Sequence, residues 1–231
     1  MNTRMTIACG VLLLLCGVLG AEARPVGVWF ELNASVAAMS AGDFTTVNSP
    51  AAVFASEFNA AIGGIDYAKG VQGAMGCESS SGLGGFIRSG YAWGSAELTS
   101  VATDENGQVL GDLVTQYRLA TIPVEVGAYN RIVRGNTAWL VEGAVEVNFV
   151  DFTERPQNFK DMGFDIHSLA DATMLGAHAA LAAEWMPTPA FALGLRGGYR
   201  VTEDVRLTTF VANLGGPFVN VYTTYRPWGN D

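Results

Sequence analysis

Apolar and polar residues alternate one by one along this chain, repeatedly and over long segments. From Val26 to Ala38, the side chains of Val28, Phe30, Leu32, Ala34 and Val36 fall on one face, while Trp29, Glu31, Asn33 and Ser35 fall on the other. A period of two belongs to an extended strand, and this segment exceeds the five or six residues common in soluble sheets. The same alternation recurs from Ile65 to Cys77, Phe86 to Val101, Leu113 to Arg131 and Thr137 to Asp151. It appears again in two segments that meet at Met186-Pro187-Thr188-Pro189, and last from Phe218 to Arg226. The pattern predicts eight strands.

The connections between them sort into two kinds. The second, fourth and sixth are short ("ESSSGLGG", "VRGNT" and "MPTP"), whereas residues 39–64, 102–112, 152–172 and 203–217 form longer ones. Short turns at one end, long loops at the other and an even strand number are the arrangement of a membrane barrel. No apolar run after the N-terminal segment has the length of a spanning helix. The predicted fold is therefore all-β: an eight-stranded, antiparallel, up-and-down transmembrane β-barrel. A short helix is expected in the first long loop, where Ser49 caps, Pro50 opens and Gly63 ends a segment with Phe54, Phe58 and Ile62 on one face.

The first 23 residues read as a cleaved export signal: Arg4 precedes an apolar stretch from Ile7 to Gly20, followed by the small-x-small Ala21-Glu22-Ala23. Residues 24–231 are then the barrel domain. Two of the three cysteines belong to the signal, which leaves Cys77 without an internal disulfide partner and excludes multi-cysteine zinc or redox motifs. A net charge of -9 argues against nucleic-acid binding. Lysine occurs only at Lys69 and Lys160, and the remaining cations are arginines. A water-facing surface ordinarily mixes Lys, Arg and Glu, so little of this chain is conventional soluble surface.

Alternation marks two faces without naming the inner one, and a soluble lipocalin-like barrel is the alternative. Here the polar faces are crowded with Gly, Ala, Ser and Thr, with isolated charges between them, which suits a narrow lumen. The apolar faces carry Leu, Val and Phe and end in Trp139, Trp185, Tyr199 and Tyr225, as expected of girdles at a bilayer interface. This assignment sends Glu31, Glu97, Glu125, Glu142, Glu146, His178 and Glu184 into the lumen. Arg196 and Arg200 face them there, with Arg131 and Arg226 as further partners. An eight-strand barrel has room for side chains but not for a wide aqueous channel. The network is either a polar core or the lining of a narrow proton or cation path.

Stretches such as "ATIPVEVGAYNR" and "LGLRGGYR", in which a strand closes on Gly, Tyr and Arg, together with the strand number and loop asymmetry, resemble the small outer-membrane barrel proteins of the OmpA/OmpX/OmpW-like group. The resemblance covers about residues 26–226. It implies a place in the outer membrane of a Gram-negative cell, insertion by the barrel-assembly machinery, and contact with outer-membrane lipids and lipopolysaccharide. A monomer is expected. Such barrels often finish on an aromatic residue, whereas this chain ends Trp228-Gly229-Asn230-Asp231, read as a short periplasmic tail with no further domain expected.

Some barrels of this size modify lipid A with a His-x-Ser pair on one strand. Here the corresponding stretch reads His178-Ala179-Ala180, without the serine. His167 and Ser168 are adjacent, so on a strand they point to opposite faces. The loop acids Glu154, Asp161, Asp165 and Asp171 match no defined metal spacing. No catalytic, cofactor or metal residue is assigned. The expected function is structural or surface-interacting through the long loops, with a narrow porin-like channel and a lipid-modifying enzyme as alternatives.

Overall fold

The computed structural model describes residues 27–41, 65–103, 109–156, 167–207 and 210–227. Eight long strands account for most of them: β1 (Gly27–Ala41), β2 (Ile65–Glu78), β3 (Leu83–Thr103), β4 (Val109–Arg134), β5 (Thr137–Pro156), β6 (His167–Thr188), β7 (Phe191–Thr202) and β10 (Gly216–Tyr225). Two short strands, β8 (Val205–Leu207) and β9 (Phe210–Asn213), form a small hairpin in the last connection. Each long strand pairs antiparallel with its neighbour, and β10 returns to pair with β1, closing the sheet. The fold is an eight-stranded, closed, antiparallel barrel.

The stagger of that closure follows from the registers. Gly27 pairs with Glu78, then the row runs through Gly84, Tyr129, Glu142, Ala180, Gly198 and Phe218, and re-enters β1 at Ala37, ten residues above its start. Such a stagger over eight strands tilts them by roughly 43°, so each residue climbs roughly 2.4 Å along the barrel axis.

Outward and inward faces differ sharply. Leu181 and Val145 are each 65% exposed, and Val221, Leu32, Leu193 and Leu195 are similarly open, while Glu125 and Arg88 are each 1% exposed. Two rings of outward aromatics border the apolar band. Phe30, Trp139, Trp185, Phe191 and Tyr225 lie towards the short turns, and Tyr67, Trp93 and Phe149 towards the long connections. With the tilt above, the rings stand roughly 25 Å apart, the height of the apolar band of a membrane barrel. Outward charges sit at the margins: Glu97, Arg118, Asp151 and Asp171 lie beyond the second ring, Arg134 beyond the first, and Lys69 lies 5.6 Å from the Tyr67 ring at its edge.

Several connections are tighter than the sequence predicts. The β3 and β4 strands run on as a paired ribbon to Thr103 and Val109, so the long connection at 102–112 is largely strand. The β4–β5 turn is only Gly135-Asn136, with Gly135 at a φ of 60°, a left-handed conformation suited to glycine. The β6–β7 turn falls at Pro189-Ala190, two residues later than the Pro-Thr-Pro pattern implies, because a bulge between Trp185 and Thr188 absorbs Pro187. In β4, Pro123 lacks an N–H and interrupts the β3 ladder; the Ser89 hydroxyl donates to its carbonyl at 2.8 Å instead. The helix expected at residues 49–63 and the signal at 1–23 lie outside the described residues.

Glycines make space for the large lumen side chains. A Cβ on Gly84 would come within 2.2 Å of the Tyr129 ring, and one on Gly194 within 2.2 Å of the Tyr222 ring. Each glycine lies beneath an aromatic from the neighbouring strand. Gly194→Val is therefore expected to displace Tyr222 and lower stability by about 1–3 kcal/mol, read as a lower urea midpoint for loss of the compact, fast-migrating form on unboiled gels.

Candidate functional site

The inward-facing charges among the described residues stack into a continuous column: Arg88, Glu125 and Glu146 share one register row across β3, β4 and β5, and His178 faces Arg200 across β6 and β7. At the short-turn end, Arg131 donates from Nε to Glu184 at 2.9 Å and from Nη1 to Glu78 at 3.2 Å. Arg226 reaches Glu184 at 3.3 Å. Tyr129 accepts from the Trp29 indole at 2.7 Å and donates to Glu78 at 2.9 Å, joining the aromatic cluster of Trp29, Phe86 and Tyr129 to the ion pairs.

The middle of the lumen holds the tightest pairing. Arg196 grips Glu31 with two parallel hydrogen bonds of 3.0 and 2.7 Å, and its Nε lies 3.0 Å from Glu142. The planar fork of a guanidinium suits this two-point geometry, which a lysine would not reproduce. Arg88 donates to Glu125 at 2.9 Å and to Glu142 at 3.4 Å, and stands 3.5 Å from Glu31. Arg88 and Arg196 also lie over the rings of Phe86 and Tyr222, at 4.5 and 4.3 Å from the centroids.

Above them, Arg200 reaches Glu146 at 3.0 Å and Glu125 at 3.7 Å. His178 sets Nε2 at 3.4 Å from Glu142 and Nδ1 at 3.8 Å from Glu146, with its ring edge-on to Phe218. Gln72 donates to Glu125 and Asn148 to Glu146, filling further lone pairs. Towards the long connections the lumen turns apolar: Tyr117 and Phe152 stack at 5.9 Å, and with Leu119 and Met174 they are at most 1% exposed. The space that remains among the described residues is small. Cavities of about 30 Å³ beside Arg200 and about 10 Å³ beside Arg196 leave room for about two waters and at most one, respectively.

Of the residues expected in the lumen, Glu31, Glu125, Glu142, Glu146, His178, Glu184, Arg196 and Arg200 meet there, and so do Arg131 and Arg226. Glu97 does not. It is exposed on the outward face, in register with Gln116 and four residues beyond Trp93. The lumen face of β3 is the small-residue set Gly90, Ala92, Gly94 and Ala96, and the strand overshoots the apolar band, so the outward polar positions Ser95 and Glu97 stand above the aromatic ring. Arg88 and Glu78 are the members that sequence reasoning missed. Arg88 shares the parity of Gly90 and Ala92, a signal obscured because it stands close to the strand's glycine-rich start.

No family model matches the chain, and no curated protein matches it. Among solved structures, it is similar to Neisserial surface protein A, with 12% identity, 87% of this chain and 99% of that one covered, and a TM-score of 0.42. It is also similar to the outer membrane protein OprG of Pseudomonas aeruginosa, at 12% identity, 87% and 95% coverage and a TM-score of 0.49. A third, the outer membrane protease OmpT of Escherichia coli, aligns at 9% identity, 89% and 97% coverage and a TM-score of 0.40. These neighbours are bacterial outer-membrane barrels with differing roles, and the class defined by the fold, together with the inside-out distribution of charge, is the small membrane β-barrel.

Removing Arg196 takes away the two-point partner of Glu31 and leaves that buried carboxylate with only Arg88 at 3.5 Å and the Asn33 amide. Arg196→Met is expected to destabilise the barrel by about 3–5 kcal/mol. The Glu31→Leu/Arg196→Met double variant should recover most of that loss, because it removes both desolvated charges together. Urea titration of the folded fraction, read on unboiled gels and by tryptophan fluorescence, checks both.

Proposed function

We propose that this chain is an outer-membrane barrel without catalytic activity, a plugged stave whose working surface is its long-connection end. The observation that carries the reading is the filling of the lumen. Side chains bridge the interior from Glu78 and Arg226 to Arg200, and the stacked Tyr117 and Phe152 follow above. A conducting pore needs a continuous wet path, and each buried carboxylate here is already held by guanidinium or amide donors. His178 faces Glu142, Glu146 and the Phe218 ring, rather than a hydroxyl or thiol that it would activate.

In this reading the short turns face the periplasm and the long connections face outward. The two aromatic rings contact the outer-membrane lipids, with the lipopolysaccharide leaflet around Tyr67, Trp93 and Phe149. The barrel-insertion machinery places the chain there as a monomer, and the β3–β4 ribbon with its neighbours presents the surface that partners touch. The lumen column serves as a polar core that holds this platform rigid.

Three measurements test the proposal. Membrane fractionation should recover the chain in the outer membrane in a heat-modifiable form. Purified barrels in planar bilayers should give no resolved single-channel steps across salts and pH values, and steady conductance would favour the channel reading instead. Lipid A from overproducing cells should show no mass change, whereas loss or gain of an acyl chain would overturn the non-enzymatic reading.

A further inference from the structure

We infer that Glu125, Glu146 and His178 form a binding site for one divalent transition-metal ion inside the barrel. The three residues belong to β4, β5 and β6, are all buried, and offer ligand atoms within 4.8 Å of one another. Two of those atoms point at each other with nothing between them to satisfy either. Glu146 Oε2 and His178 Nδ1 are 3.8 Å apart, too far for a hydrogen bond, and neither has a hydrogen-bond partner although both side chains are at most 1% exposed. A shared ion about 2.0–2.2 Å from each atom bridges such a gap with a modest closing of the pair.

The surroundings prepare each ligand. His178 sets Nε2 towards Glu142 Oε1 at 3.4 Å, which leaves the Nδ1 lone pair for a metal; a carboxylate behind the distal nitrogen is the usual support of a metal-bound histidine. Glu146 gives Oε1 to Asn148 and Arg200, which fixes the carboxylate and leaves Oε2 open. Glu125 is held by Gln72 through Oε1 and by Arg88 through Oε2. One imidazole and two carboxylates form a nitrogen–oxygen set suited to Zn²⁺, Co²⁺ or Ni²⁺ rather than to Ca²⁺. A small cavity lies beside the site, lined by Gln72, Asn148 and Arg200, the side chains that contact its carboxylates.

Charge counting leaves room for one more cation in the same place. The described lumen carries six carboxylates (Glu31, Glu78, Glu125, Glu142, Glu146 and Glu184) against five guanidiniums (Arg88, Arg131, Arg196, Arg200 and Arg226). With neutral His178 the column is one positive charge short, a deficit that a proton on His178 or a bound cation fills. Arg88 contacts Glu125 Oε2, and Arg200 contacts Glu146 Oε1 and Glu125 Oε1, so Glu146 Oε2 is the carboxylate oxygen of the site left without a donor. A divalent ion overshoots by one unit, and a metal-bound water that has lost its proton restores neutrality.

The test uses the full mature chain, refolded in detergent, stripped with chelator and titrated with Co²⁺. The expected result is one ion per barrel, with the visible d–d absorption of low-coordinate Co²⁺, displaced by Zn²⁺. His178→Ala and Glu146→Gln should each weaken binding at least tenfold, whereas Glu184→Gln, at the other end of the lumen, should leave it unchanged. Absence of stoichiometric Co²⁺ binding, or undiminished affinity in His178→Ala, overturns the site. X-ray absorption of the Zn²⁺-loaded unmutated barrel covers variants that fail to fold. A shell with one imidazole nitrogen supports the assignment, and an all-oxygen shell, as exposed acidic loops would supply, overturns it.

Discussion

In a bilayer interior no water is at hand to satisfy backbone N–H and C=O groups, and a sheet can meet that condition only by closing on itself. The pairing of β10 with β1 is therefore the interaction on which the rest of this structure depends. Closure with a ten-residue stagger sets the tilt, and the tilt sets both the height of the apolar band and the narrowness of the interior. The outward face then needs only apolar bulk and interfacial aromatics. The inward face must fill a tube whose bore admits side chains and little else.

That second requirement explains the charges. A lumen lined with alkyl groups would leave the two faces of every strand alike, with nothing to say which is inside. Paired Glu and Arg mark the inward face, since moving them to the lipid side would expose ions to hydrocarbon. Buried ion pairs contribute little net stability over an apolar filling of the same shape, but an unmatched one is heavily penalised, so the column specifies register more than it strengthens the fold. A one-residue slip of any strand that bears them would turn its lumen charges to lipid. The glycines opposite Tyr129 and Tyr222 follow the same logic, because the large rings and guanidiniums fit only where the facing strand has no side chain.

Much of this was legible in the sequence. Period-two alternation located all eight long strands, and the parity of Glu31, Glu125, Glu142, Glu146 and Glu184 placed them together, because on a strand parity is direction. Glu97 defeated that reasoning: parity assigns a face but not a height, and beyond the aromatic ring the outward face meets water and tolerates a carboxylate. Connection lengths also misled, since the β3–β4 ribbon continues past the apolar band and composition does not distinguish a projecting strand from a loop. Arg88 was readable by parity and went unnoticed near its glycine-rich start.

The sequence by itself determined the strand count, the two faces and the chemical nature of each, because these depend on spacing along a single strand. Only the tertiary structure decided which charges pair. Arg196 and Glu31 are 165 residues apart, and Glu125, Glu146 and His178 come together from three strands at positions that no motif relates. Arg196 and Glu31 meet only because β10 joins β7 to β1. Glu125 and Glu146, by contrast, are cross-strand partners in the β4–β5 hairpin, and His178 stands two residues off that row on β6, so their meeting depends on the register that each hairpin adopts.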